Sequence, residues 1–316
     1  MSDAAPKSPP KKDARPKSYA LDGTVFAVAP LAPGLHVVAT PIGNLGDITL
    51  RALQALAGAD AIACEDTRVT HKLLERYGIA TPLTPYHEHN AAKARPLLLR
   101  RLAEGGALAL VSDAGTPLIS DPGYKLVRAA RDAGHAVTAL PGASAVLTAL
   151  AVAGLPTDRF LFAGFLPPKQ AARRARIAEL ARVPATLVLF ESGPRLGATL
   201  ADLAAGLGAE REAALCRELT KLHEEIRRGD LARLAETYAQ DTPRGEIVLV
   251  IAPPGEVQAA SAAEAEMLLR QALARVSLKD AVGEVADATG LPRRQLYQQA
   301  LALTQADKKA KHAAPR

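Results

Sequence analysis

The chain has 316 residues, 48% of them hydrophobic, which is enough to bury a sizeable core and favours two compact domains over one. Two cysteines exclude a disulfide framework, and Gly, Pro or a charge interrupts every apolar run before the roughly 20 residues of a membrane-spanning helix. The formal net charge of +6 sits at the ends, since residues 1–18 hold five Lys/Arg against two Asp and residues 307–316 hold four against one, which leaves 19–306 neutral.

Residues 1–33, rich in Pro, Lys and Ala without a sustained period, read as a disordered basic tail. Asp22 and Pro30 break the apolar stretch that an export signal would need. From Leu35 onward, short apolar runs alternate with helical patterns: LHVVAT then ITLRALQALAGA, AIAC then THKLLERYG, ALALVS then YKLVRAARDAG, AVTAL then ASAVLTALAVAG. Such alternation predicts βα units around a parallel sheet, over about 34–153. Cys64 and Cys216 each follow an apolar run and read as reduced core thiols, as expected in the cytoplasm.

Beyond Gly154, RFLFAGF, TLVLFES, EAALCREL, HEEIRRGDL and GEIVLVIA read as strands, with helices near 173–182 and 195–206. Several strands follow one another without a helix, so 154–254 is expected to be a second α/β domain with a mixed, largely antiparallel sheet. Pro253, Pro254 and Gly255 punctuate the chain before a helical segment at 262–305, and 306–316 reads as a second basic tail. Within the helical segment, LKDAVGEVADATG followed by LPRRQLYQQALAL has the pattern of a helix-turn-helix, or equally of a small packing appendage.

In a parallel α/β sheet, ligands bind beyond the carboxyl ends of the strands, and the unusual residues of this chain fall there. Pro41-Ile42-Gly43-Asn44-Leu45-Gly46-Asp47 follows the first strand; it is neither a dinucleotide fingerprint nor a P-loop. The third strand runs into Ser112-Asp113-Ala114-Gly115-Thr116-Pro117-Leu118-Ile119-Ser120-Asp121-Pro122-Gly123, a polar loop stiffened by two Pro and suited to hold a small molecule against main-chain groups. Pro141-Gly142-Ala143-Ser144-Ala145 opens the next helix with small residues that allow close approach.

Other charged segments admit two readings. Glu65-Asp66-Thr67-Arg68 either caps a helix or carries charge to a site. Arg173, Arg174 and Arg176, with Lys169, suit phosphate contacts or a solvated helix face. His87-Glu88-His89 has no third ligand at a recognisable spacing, so no metal is expected. With no Trp and 3% aromatics, any RNA recognition has to come from charge and shape rather than stacking.

Taken in order, VATPIGNLGDITLRAL, CEDTRVTHKLL, LVSDAGTPLISDPG, LPGASAVLTAL, LFESGPRL, CRELTKLHEE and GEIVLVI resemble the tetrapyrrole methylase superfamily, and much more closely its ribosomal RNA small-subunit methyltransferase I branch, over about 34–253. The resemblance implies a two-domain α/β enzyme with a small helical C-terminal segment and S-adenosylmethionine between the domains, working as a homodimer. The implied reaction is 2′-O-methylation of a decoding-centre cytidine in 16S rRNA, within the 30S subunit. It puts the cofactor at Pro41, Ile42, Gly43, Asp113, Ala114, Gly115, Ile119, Ser144, Ala145 and Phe190. For catalysis the charged residues near the expected cleft nominate Asp66 as base, with Lys221 and Arg68 stabilising the developing oxyanion or a phosphate. The competing readings are a methylase of a tetrapyrrole or diphthine precursor, and a non-catalytic ligand-sensing helix-turn-helix regulator.

Overall fold

The computed structural model describes residues 17–119, 123–255 and 262–313. The chain begins with an unexpected element. β1 (Ser18–Leu21) and β2 (Thr24–Ala27) pair as an antiparallel hairpin, turned by Asp22 and Gly23 at φ 47° and 79°. Tyr19 is buried in the first-domain core and stacks on Phe26 at 5.2 Å, while Lys17 reaches Gly58 O at 2.7 Å and Asp60 at 3.0 Å. The reading of 1–33 as a disordered tail is therefore corrected for 18–27, because two four-residue strands anchored by one aromatic are too short to show a period. Residues 1–16 lie outside the described residues.

The first domain is built on β3 (Gly34–Val38), β4 (Ala61–Cys64), β5 (Leu83–Pro85), β6 (Ala107–Leu110) and β7 (Val137–Leu140). They form one parallel sheet in the order β5-β4-β6-β3-β7. β3, β4 and β6 are buried throughout, as a parallel sheet covered on both faces requires. Alternate residues of each strand go to opposite cores: Val38, Ile62 and Ala109 pack with α1 (Leu50–Gly58) and α2 (Thr67–Arg76), Val37, Ala63 and Leu108 with α3 (Ala91–Ala103) and α4 (Tyr124–Asp132).

The second sheet, β8 (Phe160–Phe165), β9 (Thr186–Ser192), β10 (Glu212–Arg217), β11 (Glu225–Asp230) and β12 (Glu246–Ile251), has the order β11-β10-β12-β9-β8. Only β8 and β9 pair in parallel, so the sheet is mixed and largely antiparallel, as the sequence indicates. α6 (Gln170–Leu180), α7 (Gly193–Leu207) and α8 (Leu231–Thr237) cover one face through Leu189, Leu215 and Leu249. The other face is covered by α5 (Ala145–Ala153), whose Val146, Ala149 and Leu150 pack on Val188, Cys216 and Val248. α5 thus closes the first domain in sequence but belongs to the second in packing, which locks the two sheets around a shared cavity.

α9 (Ala262–Leu273), α10 (Leu278–Thr289) and α11 (Arg293–Ala313) form a separate cluster around Leu269, Val282, Val285 and Leu296. Ser277 caps α10 by accepting from Asp280 N, and Gly290 at φ 68° ends it. The backbone of α11 continues through Ala313, past the 305 boundary expected for the helices, because Ala, Gln and Lys are good helix formers. Residues 314–316 lie outside the described residues. No helix among the described residues is long and apolar enough to cross a membrane.

Candidate active site

Four βα turns of the first domain are tied to one another. Thr40 and Gly115 exchange backbone hydrogen bonds at 2.9 and 3.0 Å, which joins the turn after β3 to the long loop after β6. Gly115 takes φ 77° to make this bridge. The Thr116 hydroxyl donates to Ala143 O at 3.3 Å, linking the long loop to the turn before α5. Asp113 Oδ1 accepts from Asp66 N at 2.9 Å, which adds the turn after β4. Ser144 caps α5, so the remaining free N–H groups of its first turn face the same region.

Between these turns and the second sheet lies a cavity of about 410 Å³, within the range of small-molecule sites. Ile42, Asp113, Ala114, Gly115, Ile119, Ser144, Ala145 and Phe190, all assigned to the cofactor, line it together. Pro41 and Gly43 do not; they line an adjoining cavity of about 290 Å³ that shares Ile42, Asp113, Ala114 and Glu246 with the first. Ser120 and Asp121 of the long loop lie outside the described residues.

The second sheet supplies the opposite wall. The register of β9 and β12 pairs Phe190 with Val248 and Ser192 with Glu246, bringing both strand ends to the cavity. Phe190 meets Phe162 and Phe165 edge-on, with ring centroids at 4.8 and 5.6 Å. Glu191 is buried, accepting from Thr199 Oγ1 at 2.6 Å and Ser192 N at 2.8 Å, with Arg195 at 3.4 Å. Cys216 lies in the wall, and burial pushes its thiol up to about 11. Phe165 and Glu246 were missed by sequence reasoning. The signal for both was strand pairing, which sets Phe165 beside Phe190 and Glu246 beside Ser192, residues far apart in sequence.

The three nominated catalytic residues have different fates. Lys221 lies in the wall of the adjoining cavity, hydrogen-bonded to Glu218 at 2.8 Å and Glu246 at 3.0 Å. Burial works against its ammonium, but those two carboxylates outweigh it and hold the pKa above the ordinary lysine value. It stands on a bent loop in which Glu218 and Thr220 take φ 51° and 67°, and Thr220 Oγ1 accepts from Asn44 N across the domain junction. Asp66, by contrast, caps α2 and grips the Arg68 guanidinium at 2.6 Å. The Arg68 side chain and backbone N–H hold its pKa down to about 2. A carboxylate so committed is a weaker proton acceptor than a free one, and in this structure Asp66 serves as helix cap and Arg68 partner. The Arg68 side chain is 87% exposed and lines neither cavity.

The remaining charged candidates lie elsewhere. Arg173 and Arg174 both bind Asp202 of α7, at 2.6 and 2.7 Å, and Arg176 pairs with Glu179. The three arginines are thereby held in ion pairs, while Lys169 before them is exposed. No cluster of three or more potential metal ligands occurs among the described residues, and His87 and His89 face each other edge-on at 6.1 Å.

Known proteins bear on this arrangement. The sequence profile of the Tetrapyrrole (Corrin/Porphyrin) Methylases matches residues 34–235, and that of the RsmI C-terminal HTH domain matches 259–304. A protein of Mesorhizobium japonicum named ribosomal RNA small subunit methyltransferase I is 52% identical over 89% of this chain and 95% of its own length. One of the same name from Erythrobacter litoralis is 55% identical over 87% and 96%. Among solved structures, a cobalt precorrin-4 methyltransferase of cobalamin biosynthesis shares the fold, with a TM-score of 0.54 at 18% identity over 69% of this chain and 94% of that one. The two-domain fold, the turn-lined cavity and these matches agree, and the chain belongs to the ribosomal RNA small subunit methyltransferase I family of the tetrapyrrole methylases.

Proposed function

We propose that the protein transfers a methyl group from S-adenosylmethionine to the ribose 2′-oxygen of a decoding-centre cytidine in 16S rRNA. The observation that carries the cofactor is the charge of the main cavity. Its polar wall carries the carboxylates of Glu65, Asp113, Glu191 and Glu246 beside Thr116, Ser144 and Ser192; no Lys or Arg among the described residues lines it, Arg195 and Lys221 pairing with Glu191 and Glu246 from outside. Such a wall suits a ligand bearing a sulfonium and an ammonium and disfavours an anionic one.

When bound, S-adenosylmethionine would supply an electrophilic methyl on sulfur and leave as a neutral thioether. The main chain at Ala114 and Gly115 and the first turn of α5 hold and orient it, while Phe190 and Phe165 form the apolar side and exclude water. Orientation is the principal contribution of these residues, because in-line attack needs the acceptor oxygen aligned with the methyl. Lys221, in the wall of the smaller cavity and bonded to the shared Glu246, lends positive charge to the oxygen as its proton leaves, and the exposed Arg68 meets phosphate. Water takes the proton.

The acceptor follows the names of the relatives, which say small-subunit rRNA; the basic ends of the chain favour a polyanion, and 30S subunits place the enzyme in the cytoplasm. The homodimer is favoured by α5, an apolar helix that leaves Leu147 and Val152 exposed. Incubation of the full chain with methyl-labelled S-adenosylmethionine and 30S subunits lacking the modification tests the reading. Labelled 2′-O-methylcytidine in 16S rRNA is expected; label only in an added tetrapyrrole, or none, would overturn it.

A further inference from the structure

The two adjoining cavities differ in charge. The larger has four carboxylates and no cation among its described lining, whereas the smaller sets Lys72 and Lys221 beside Asp113 and Glu246, which it shares with the larger. They meet at Ile42, Asp113, Ala114 and Glu246, so a ligand in one lies beside a ligand in the other. In the smaller cavity the two carboxylates are already engaged, Asp113 by Asp66 N and Glu246 by Lys221. Lys72 makes no hydrogen bond or ion pair among the described residues and is exposed on α2, one turn beyond Arg68. Leu45 and Val69, each 40% exposed, give the same cavity an apolar flank.

We propose that the smaller cavity receives a single unstacked ribonucleotide of the acceptor RNA, with Lys72 contacting its phosphate, Lys221 facing its ribose oxygen, and Leu45 and Val69 against its sugar or base. The inference rests on the methyl-transfer reading above and adds to it where the acceptor sits. The larger wall carries carboxylates alone and the smaller adds two lysines to the shared pair, so a cationic methyl donor is favoured in the first and an anionic nucleotide is tolerated only in the second. A volume of about 290 Å³ admits one nucleotide rather than a duplex, so the target has to leave its stack before reaction. Glu246, whose side chain is 79% exposed, can be displaced from Lys221 by the incoming nucleotide.

The test uses the full chain, unmethylated 30S subunits and saturating S-adenosylmethionine, with Lys72→Ala and Lys72→Arg beside the wild type. Methylation is followed at several salt concentrations, and S-adenosylhomocysteine affinity is measured by calorimetry. Lys72→Ala is expected to raise KM for 30S subunits about tenfold and to reduce the salt dependence of log KM by about one counterion. Lys72→Arg should restore both, with S-adenosylhomocysteine affinity unchanged in all three. An unaltered KM and salt slope in an active Lys72→Ala enzyme would overturn the subsite, as would a parallel loss of S-adenosylhomocysteine affinity. A wild type inactive on 30S subunits would instead overturn the methyl-transfer reading itself, and the subsite with it.

Discussion

The aliphatic stem of Lys221 lies directly on Gly43, so close that a Cβ at position 43 would come within 2.8 Å of Lys221 Cε. The glycine is required by this contact rather than by its backbone angle. Lys221 is held at its far end by Glu218 and Glu246 and cannot step aside without breaking those bonds. Gly43→Ala should therefore move the ammonium from its place in the smaller cavity, lowering kcat about tenfold. The thermal midpoint and S-adenosylhomocysteine affinity should change little. Wild-type kcat in this variant would show that Lys221 plays no part in the transfer.

Gly115 poses the opposite case, since there the backbone decides. Its φ of 77° is left-handed, and a Cβ would also meet Ile42 Cγ2 at 3.3 Å. Gly115→Ala should cost about 1–2 kcal/mol in urea unfolding. Because the bridge to Thr40 sets the spacing of two cavity loops, S-adenosylhomocysteine should bind more weakly as well. Destabilisation without loss of affinity would mean that the bridge supports the fold alone.

These two glycines illustrate what the sequence makes legible. Alternating apolar runs and helical patterns specify the parallel sheet, and the sheet brings its turns to one end, so Ile42, Asp113, Gly115 and Ser144 converge on one cavity. Contacts set by tertiary pairing leave no local trace. The partner of Arg173 is Asp202, 29 residues along, so three arginines on a helix looked available for phosphate. The β1–β2 hairpin depends on the burial of Tyr19, and its short strands look like the tail around them. Asp66 shows a third limit: cap and base use the same residue type in the same turn, and only the position of Arg68 separates them.

The pH dependence of Asp66 follows from that pairing. Its pKa is lowered from 3.8 to about 2, first by the Arg68 side chain. The stability it contributes is present above the unfolded value and lost as pH falls through the folded one, so it is constant from pH 5 to 8. Activity over that range should show no limb that Asp66→Asn removes. Asn caps a helix as well as Asp does, so this variant should keep neutral-pH activity to within about threefold. A loss of a hundredfold or more would restore the carboxylate as base.

Asp202 should be the most stability-sensitive carboxylate of the second domain. Burial alone would raise its pKa, but hydrogen bonds from Arg174 and Arg173 outweigh burial and hold it below the ordinary carboxylate range. Its two partners are not equivalent: the Arg173 side chain is 6% exposed and that of Arg174 is 62% exposed. Asp202→Asn leaves the Arg173 guanidinium buried without a counter-charge and should cost about 3–5 kcal/mol, whereas Arg174→Ala removes a solvated partner and should cost under about 1 kcal/mol. In acid the wild type loses the contribution as pH falls below the unfolded carboxylate value, and Asp202→Asn should lack that part of the decline. α6 and α7 cover the sheet face opposite the cavity, so methylation below the unfolding transition should survive both substitutions. Equal destabilisation by the two variants in urea titrations would mean that burial of Arg173 does not set the cost.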